Sequence, residues 1–344
     1  MSTEDIQEQK TVFFRKTMAD YKKTGRITEC FYHDKLKCNG KIKQSHSLQR
    51  NGRLSIIEGP DSKGNQVIYT FTEMEADEKS MFASLKPIGK GVASTFFGFC
   101  DHHDTTLFST IENFPFDNSD QHCFLHTYRS FAHSYHMKKE HIKASSADTE
   151  YARTIPKYVF ADMIWTAKMG MAELEIEKLK LDKMIENREH NGLEYLIYQL
   201  PQKFPIACSS IISPKYSYYG KPMNNHVDPN IPFSTIMLTV LPDVSETIII
   251  LACFPEDEKA KNLFDELDTL KPLQFEKAIS SLMTNNAENT FFTPALWNAL
   301  GKKGQRQLCN ELQYAASSSV KSAFVHSKIN FFDSQFSAKS LGIK

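Results

Sequence analysis

The stretch Thr95-Phe96-Phe97-Gly98-Phe99-Cys100-Asp101-His102-His103-Asp104 decides how the first third of this chain is built. Cys100 and His103 are separated by two residues just ahead of a helical pattern over residues 105 to 111, which is half of a zinc site. Upstream, Glu29-Cys30-Phe31-Tyr32-His33 repeats that spacing, and Cys38-Asn39-Gly40 puts a further thiolate on a tight turn. The expected ligands of a structural Zn²⁺ are Cys30, Cys38, Cys100 and His103. Spacing alone leaves His33 as an alternative to Cys38, although thiolate is the better zinc ligand.

Composition bounds what surrounds this site. A chain of 344 residues with 41% hydrophobic content can bury a sizeable core and suggests about two domains. No apolar run approaches ~18 residues and the first ten residues are polar and charged, so neither a membrane span nor a secretion signal is expected. Seven unevenly spaced cysteines fit a reducing, cytoplasmic setting in which thiols stay free or bind metal. The formal net charge is zero, yet residues 10 to 57 carry twelve Lys and Arg against three Asp and Glu. Such a basic segment around the metal ligands suits a phosphate backbone, and equally a solvated surface balanced by the acidic remainder.

The patterning predicts an α+β fold. Residues 1 to 24 read as an amphipathic helix through Val12, Phe13, Met18 and Tyr21, packing on the zinc module. Residues 54 to 58 and 66 to 71 read as strands of an insertion between the two ligand pairs. Asp120 caps a helix to about residue 143, and a second helical block spans about 155 to 189 through Met169, Leu174, Leu179 and Ile185. Beyond residue 190 the pattern turns to β over 207 to 212, 234 to 240 and 247 to 253, the last two forming an antiparallel hairpin. Helices return over 256 to 267 and after Thr293-Pro294, with Gly301 ending the second. The expected organisation is a zinc module with flanking helices over 1 to 143, a helical connector over 144 to 190, and a C-terminal α+β domain over 191 to 344. The tail from residue 333 onward is expected to be poorly ordered.

Between the two ligand pairs lies Lys41-Ile42-Lys43-Gln44-Ser45-His46-Ser47-Leu48-Gln49-Arg50, where a strand delivers His46 just after the first ligand group. Cysteine group, strand ending in histidine, insertion, then Cys-x-x-His opening a helix: that order resembles a treble-clef zinc finger of the HNH nuclease type, over roughly residues 26 to 112. The resemblance implies metal-dependent phosphodiester hydrolysis of DNA or RNA, with His46 as general base and Mg²⁺ or Mn²⁺ stabilising the charge of the transition state. Ser45 stands where HNH motifs often place an acidic ligand, and no middle asparagine precedes Cys100. With His103 on zinc, His102 and Asp104 are the residues left to take those catalytic parts. Lys41, Lys43, Arg50 and Arg53 are the expected phosphate contacts. Stand-alone nuclease effectors of bacterial defence systems are similar in this respect, with the second domain recognising a protein partner or trigger.

Two further readings compete. Treble-clef fingers also serve as folding staples, so the chain can equally be a non-catalytic, zinc-stabilised module for nucleic-acid or protein interaction, with His46 as a ligand or a core histidine. In Gln121 to His136, His122, His126, Arg129 and His133 share one helical face, and Arg129 and His136 resemble the Arg-x4-6-His signature of HEPN ribonucleases, which cleave RNA without a divalent metal. Cys208 and Cys253 read as core thiols, His226 and Asp228 as an exposed loop, and residues 173 to 188 as a solvated helix face. No phosphate-binding glycine loop or dinucleotide fingerprint is present.

Overall fold

A computed structural model of the chain describes residues 3–76, 81–154, 157–224, 231–317 and 323–333. In chain order these form α1 (Thr3–Gly25), β1 (Ile42–His46), α2 (Ser55–Ile57), β2 (Gly59–Pro60), β3 (Gln66–Ala76), β4 (Met81–Ile88), β5 (Thr95–Cys100), α3 (Asp101–Asn113), α4 (Asp120–Ser145), α5 (Glu150–Thr154) and α6 (Lys157–Asn187). They continue as β6 (Glu194–Leu200), β7 (Ile206–Ile212), β8 (Ile236–Pro242), β9 (Thr247–Cys253), α7 (Glu258–Asp268), α8 (Pro272–Asn286), β10 (Thr290–Phe292), α9 (Pro294–Ala299) and α10 (Gly301–Ser317). The fold is α+β with antiparallel sheets, as expected.

Two sheets organise it. In the smaller, β1 pairs with β5, Ile42 opposite Cys100 and His46 opposite Thr95, and α3 leaves directly from the end of β5. Asp101 and Asp104 in the first turn of α3 complement the positive end of its dipole. In the larger, eight strands run in the order β2-β3-β10-β7-β8-β9-β6, with β4 paired to β3. Strands β7, β8 and β9 are almost wholly buried because both faces are covered. One face sends Cys208, Leu238, Val240, Ile249 and Leu251 into a core completed by α7 and α8. The other sends Met237 and Ala252 towards α4, α6 and the β1–β5 unit, and Ala207, Leu241, Ile248 and Ile250 onto Leu48, Leu54 and Ile57.

Helix α4 joins these layers, packing on α1, α3, α6, β5 and strands β7, β8 and β9 of the large sheet. Ser119, one residue before Asp120, is its N-cap, accepting from the His122 amide at 3.3 Å. The sheet fixes the helix by a side-chain bond as well: the Ile211 amide donates to Ser134 Oγ at 3.1 Å.

Three expectations change. The segment expected to be a strand over 54 to 58 is helical, a π-type turn (Arg50–Leu54) running into α2. Leu54 and Ile57, three residues apart, are both fully buried, so their spacing is that of a helix face. Helix α1 packs on α4 through its C-terminal part: Tyr21 Oη bonds Ser145 Oγ at 2.6 Å and His141 Nδ1 at 2.9 Å, while Val12 and Phe13 are exposed. The strands between the ligand pairs enter the large sheet, where Thr70 and Tyr69 of β3 pair with Phe291 and Phe292 of β10. His226, Asp228 and the tail beyond Asp333 lie outside the described residues.

The burial of α4 makes the fold sensitive to acid. Burial drives the imidazole of His133 down to about 3, with His136 adding to the effect and Glu140 opposing it, and burial drives His126 well below the ordinary histidine value. A histidine whose folded-state value is depressed costs nothing while both states are neutral. Below about pH 6.5 the unfolded chain takes up protons that the folded chain refuses, so stability falls with pH at ~1.4 kcal/mol per unit for each such histidine. Urea unfolding at pH 7, 6 and 5 should show this decline, and His133→Gln should flatten it by one histidine's share; an unchanged slope in the variant would assign the acid sensitivity elsewhere.

Candidate metal centre

Cys30, Cys38, Cys100 and His103 converge at one end of the β1–β5 hairpin. Their ligand atoms all lie within 4.8 Å of one another, and His103 Nδ1 is 3.2 Å from Cys100 Sγ, 3.5 Å from Cys30 Sγ and 3.7 Å from Cys38 Sγ. Sulfurs and a ring nitrogen at these separations fit around a tetrahedral zinc with Zn–S of ~2.3 Å and Zn–N of ~2.0 Å. Among the described residues this is the one group of three or more metal-binding side chains. The choice between Cys38 and His33 falls to Cys38: the His33 ring lies tilted against Tyr32 and 4.0 Å from Glu186, outside the group.

Local backbone explains the convergence. The Glu29 and Phe31 amides bond the Phe97 and Gly98 carbonyls at 3.2 and 2.6 Å, laying the first ligand segment along β5. The turn carrying Cys38 closes through Gly40, at φ +79°, where an added Cβ would sit 2.8 Å from Asp101 Cβ. The same turn holds the start of α3, since Asp101 N bonds Lys41 O at 2.9 Å and His102 N bonds Asn39 O at 3.2 Å. His103 is steadied by Tyr32, stacked at 4.0 Å between ring centroids. Burial, the neighbouring thiols and their negative charge push Cys38 up to about 12, whereas at Cys100 burial is outweighed by backbone bonds from His103 and Asn39 and by the other two thiols, and its value falls. Three thiolates packed this closely repel one another, and a divalent cation removes that repulsion.

His46 lies at the other end of the hairpin, four strand steps or ~13 Å from the pair Ile42–Cys100. Its Nδ1 is 3.0 Å from the Ala93 carbonyl and must therefore donate, leaving Nε2 as an acceptor without a bond among the described residues. Burial lowers its pKa; the Ala93 bond opposes this, Arg129 and Arg50 reinforce it, and Glu112 opposes it. Glu112, in the last turn of α3, pairs with Arg129 of α4 and accepts from Gln49 Nε2 at its backbone carbonyl at 2.6 Å. Gln49, Glu112 and Arg129 thus form a second polar group, whose charges act on His46. The histidine stripe on α4 hinted at Arg129, but Glu112 carried no sequence signal, because only the fold brings the end of α3 back beside β1.

The remaining candidates are placed as follows. His102 and Asp104 lie in the first turn of α3, at the zinc end, and are not brought to His46. Lys41 and Arg50 are exposed, and Lys43 is exposed and paired with Asp101. Arg53 is buried, a correction to its expected place at a phosphate surface: its guanidinium bonds the Pro242 carbonyl at 3.1 Å and pairs with Asp243 in the β8–β9 turn. Arg129 and His136 are both buried, and His136 Nε2 is 3.2 Å from Glu140, so neither stands open as a HEPN pair would. Cys208 and Cys253 are buried thiols pushed up to about 12 by desolvation, in keeping with core packing. No helix among the described residues is long and apolar enough to cross a membrane. No protein-family model, curated protein or solved structure matches the chain.

Elemental analysis should find one zinc per chain. Cys100→Ser should release it and lower the melting temperature by more than ~5 °C, since structural zinc contributes folding energy directly; zinc retained at full stoichiometry would remove Cys100 from the ligand set.

Proposed function

We propose that the chain hydrolyses phosphodiester bonds of nucleic acid on a treble-clef, HNH-like zinc unit, with His46 as the proton acceptor. The observation that supports this best is the state of His46. It sits at the end of the first strand of a β-hairpin that leads into a zinc-bearing helix, and its Nδ1 proton is committed to Ala93. Its Nε2 lone pair is uncommitted, and two arginines act on it electrostatically. A neutral imidazole of fixed tautomer beside guanidinium charge is what activation of water against a phosphate requires.

In this reading the water oxygen attacks phosphorus, its proton passes to His46 Nε2, and the departing ester oxygen leaves with the bond electrons and takes a proton from solvent. Arg50 and Arg129 stabilise the added charge on the phosphoryl oxygens, and the exposed Lys41 and Lys43 hold the strand. Zinc, held by Cys30, Cys38, Cys100 and His103, supplies rigidity to the hairpin and helix. The residues do not fit a Mg²⁺ or Mn²⁺ site of the HNH kind: the carboxylate acting on His46 is Glu112, which is taken by Arg129, and the described residues assemble no other group of metal donors. No step is routed through such an ion.

That missing donor set favours a second reading, in which the zinc unit is a non-catalytic module that binds nucleic acid or protein. His46→Ala separates the two. For hydrolysis, the variant stays folded and zinc-loaded and loses cleavage of plasmid DNA or structured RNA by about 10²-fold or more. Wild-type chain that cleaves neither, or a variant that cleaves as well as wild type, sinks the catalytic reading. Because the folded-state value of His46 is lowered, its base form persists below the ordinary histidine range, so kcat/KM should hold as pH falls through about 6.5 and decline only at lower pH.

A further inference from the structure

Arg129 is held in an unusual way. Its side chain is 5% exposed, within the run of buried residues on α4, with the guanidinium carbon 4.5 Å above the Phe108 ring. Its counter-ion is one carboxylate, that of Glu112, whose side chain is 34% exposed. Nη1 makes that contact, and Nε is buried with no acceptor. A guanidinium is built to bind two oxygens of a planar or tetrahedral anion at once, and a single contact leaves most of its donors unused. Burying such a charge is costly unless it is fully paired. The half-exposed Glu112 lies on the outer side of this pair, and its backbone is anchored to Gln49, three residues beyond His46. Displacing the Glu112 side chain therefore frees the donors of Arg129, whose charge reaches His46, while the Glu112 backbone stays bonded to Gln49.

We propose that Arg129 is the phosphate anchor of the His46 site, and that the Glu112 carboxylate holds its place until a nucleic-acid phosphodiester displaces it. This rests on the hydrolytic reading for its choice of ligand, but it assigns to α4, which lies outside the zinc unit, the residue that seats the substrate. Glu112 is then an internal competitor: it keeps Arg129 paired and rotamerically fixed in the free chain, and only an anion that offers the guanidinium more than one oxygen displaces it. Phosphate oxygens, which can take two guanidinium donors together, replace one carboxylate contact with two.

The test uses binding, so that it does not depend on cleavage. Zinc-loaded chain, Glu112→Gln and Arg129→Lys are titrated with a fluorescein-labelled single-stranded DNA oligonucleotide, and their melting temperatures are followed with added inorganic phosphate. Glu112→Gln should bind the oligonucleotide roughly tenfold more tightly, and Arg129→Lys roughly tenfold more weakly at unchanged zinc content. Glu112→Gln leaves Arg129 without a counter-ion, so it should melt lower than wild type, and phosphate should raise its melting temperature by at least ~3 °C more than it raises that of wild type. Equal phosphate responses in wild type and Glu112→Gln, together with unchanged oligonucleotide affinity, overturn the anchor. If Arg129→Lys fails to fold, Glu112→Gln alone decides. Binding that follows this pattern without any cleavage upholds the anchor and removes the hydrolysis; cleavage with affinities indifferent to Glu112 does the reverse.

Discussion

From His122 to His136 nearly every residue of α4 is buried, Ser134 being only half so, because the helix lies between the β1–β5 unit on one side and the large sheet on the other. A helix in that position must satisfy its polar side chains inside the protein, since water reaches few of them. Ser134 does so with the Ile211 amide, His136 with Glu140, and Arg129 with Glu112. His126 and His133 stay neutral, which avoids a buried charge, although His133 Nδ1 is enclosed without a partner. Apolar residues of the helix, Phe124, Tyr128 and Phe131, fill the space against Phe31, Phe99 and Phe108 of the zinc unit. The position of α4 therefore fixes both the aromatic layer behind the β1–β5 unit and the place of Arg129 beside Glu112.

The zinc unit and this aromatic layer support each other. Four ligands close a segment from Cys30 to His103 that has few apolar residues of its own over 33 to 47, and its buried aromatic side chains find their partners on α4. A Cys3His cluster at one end of the β1–β5 pair and a packed helix behind it leave His46, at the other end, on backbone fixed from both sides. The Cys3His cluster and His46 are thus separated along the strand, which is why His102 and Asp104, beside the cluster, have no part in the polar group near His46.

The Cys3His cluster was legible because cysteine and histidine spacing states its chemistry directly, and the α+β class was legible because the strands β7, β8 and β9 read as apolar runs. What was not legible depended on contacts distant in sequence. Leu54 and Ile57 pack as a helix face only once the second face of the large sheet is there to receive them. β3 reads as a strand from its own residues, but nothing in them says that Phe291 and Phe292 will pair with it across more than two hundred residues of chain. Arg53 looked like its basic neighbours and became a buried partner of Asp243, because local charge density does not reveal which guanidinium the fold will enclose. Glu112 was silent for the same reason.

This difference between Arg50, exposed, and Arg129, enclosed, bears on why a charged residue occupies so dry a place. On the surface an arginine such as Arg50 is screened by water and salt, which weakens its attraction for any anion. Held over the Phe108 ring and away from solvent, the same group has a stronger field and a fixed direction, at the cost of needing a counter-ion whenever no ligand is present. Glu112 meets that need while remaining half-exposed, which a carboxylate from the core could not do. The pair therefore combines two properties that a surface arginine cannot have together: a strong, oriented positive charge at the His46 face, and a folded chain that remains stable before anything has bound to it.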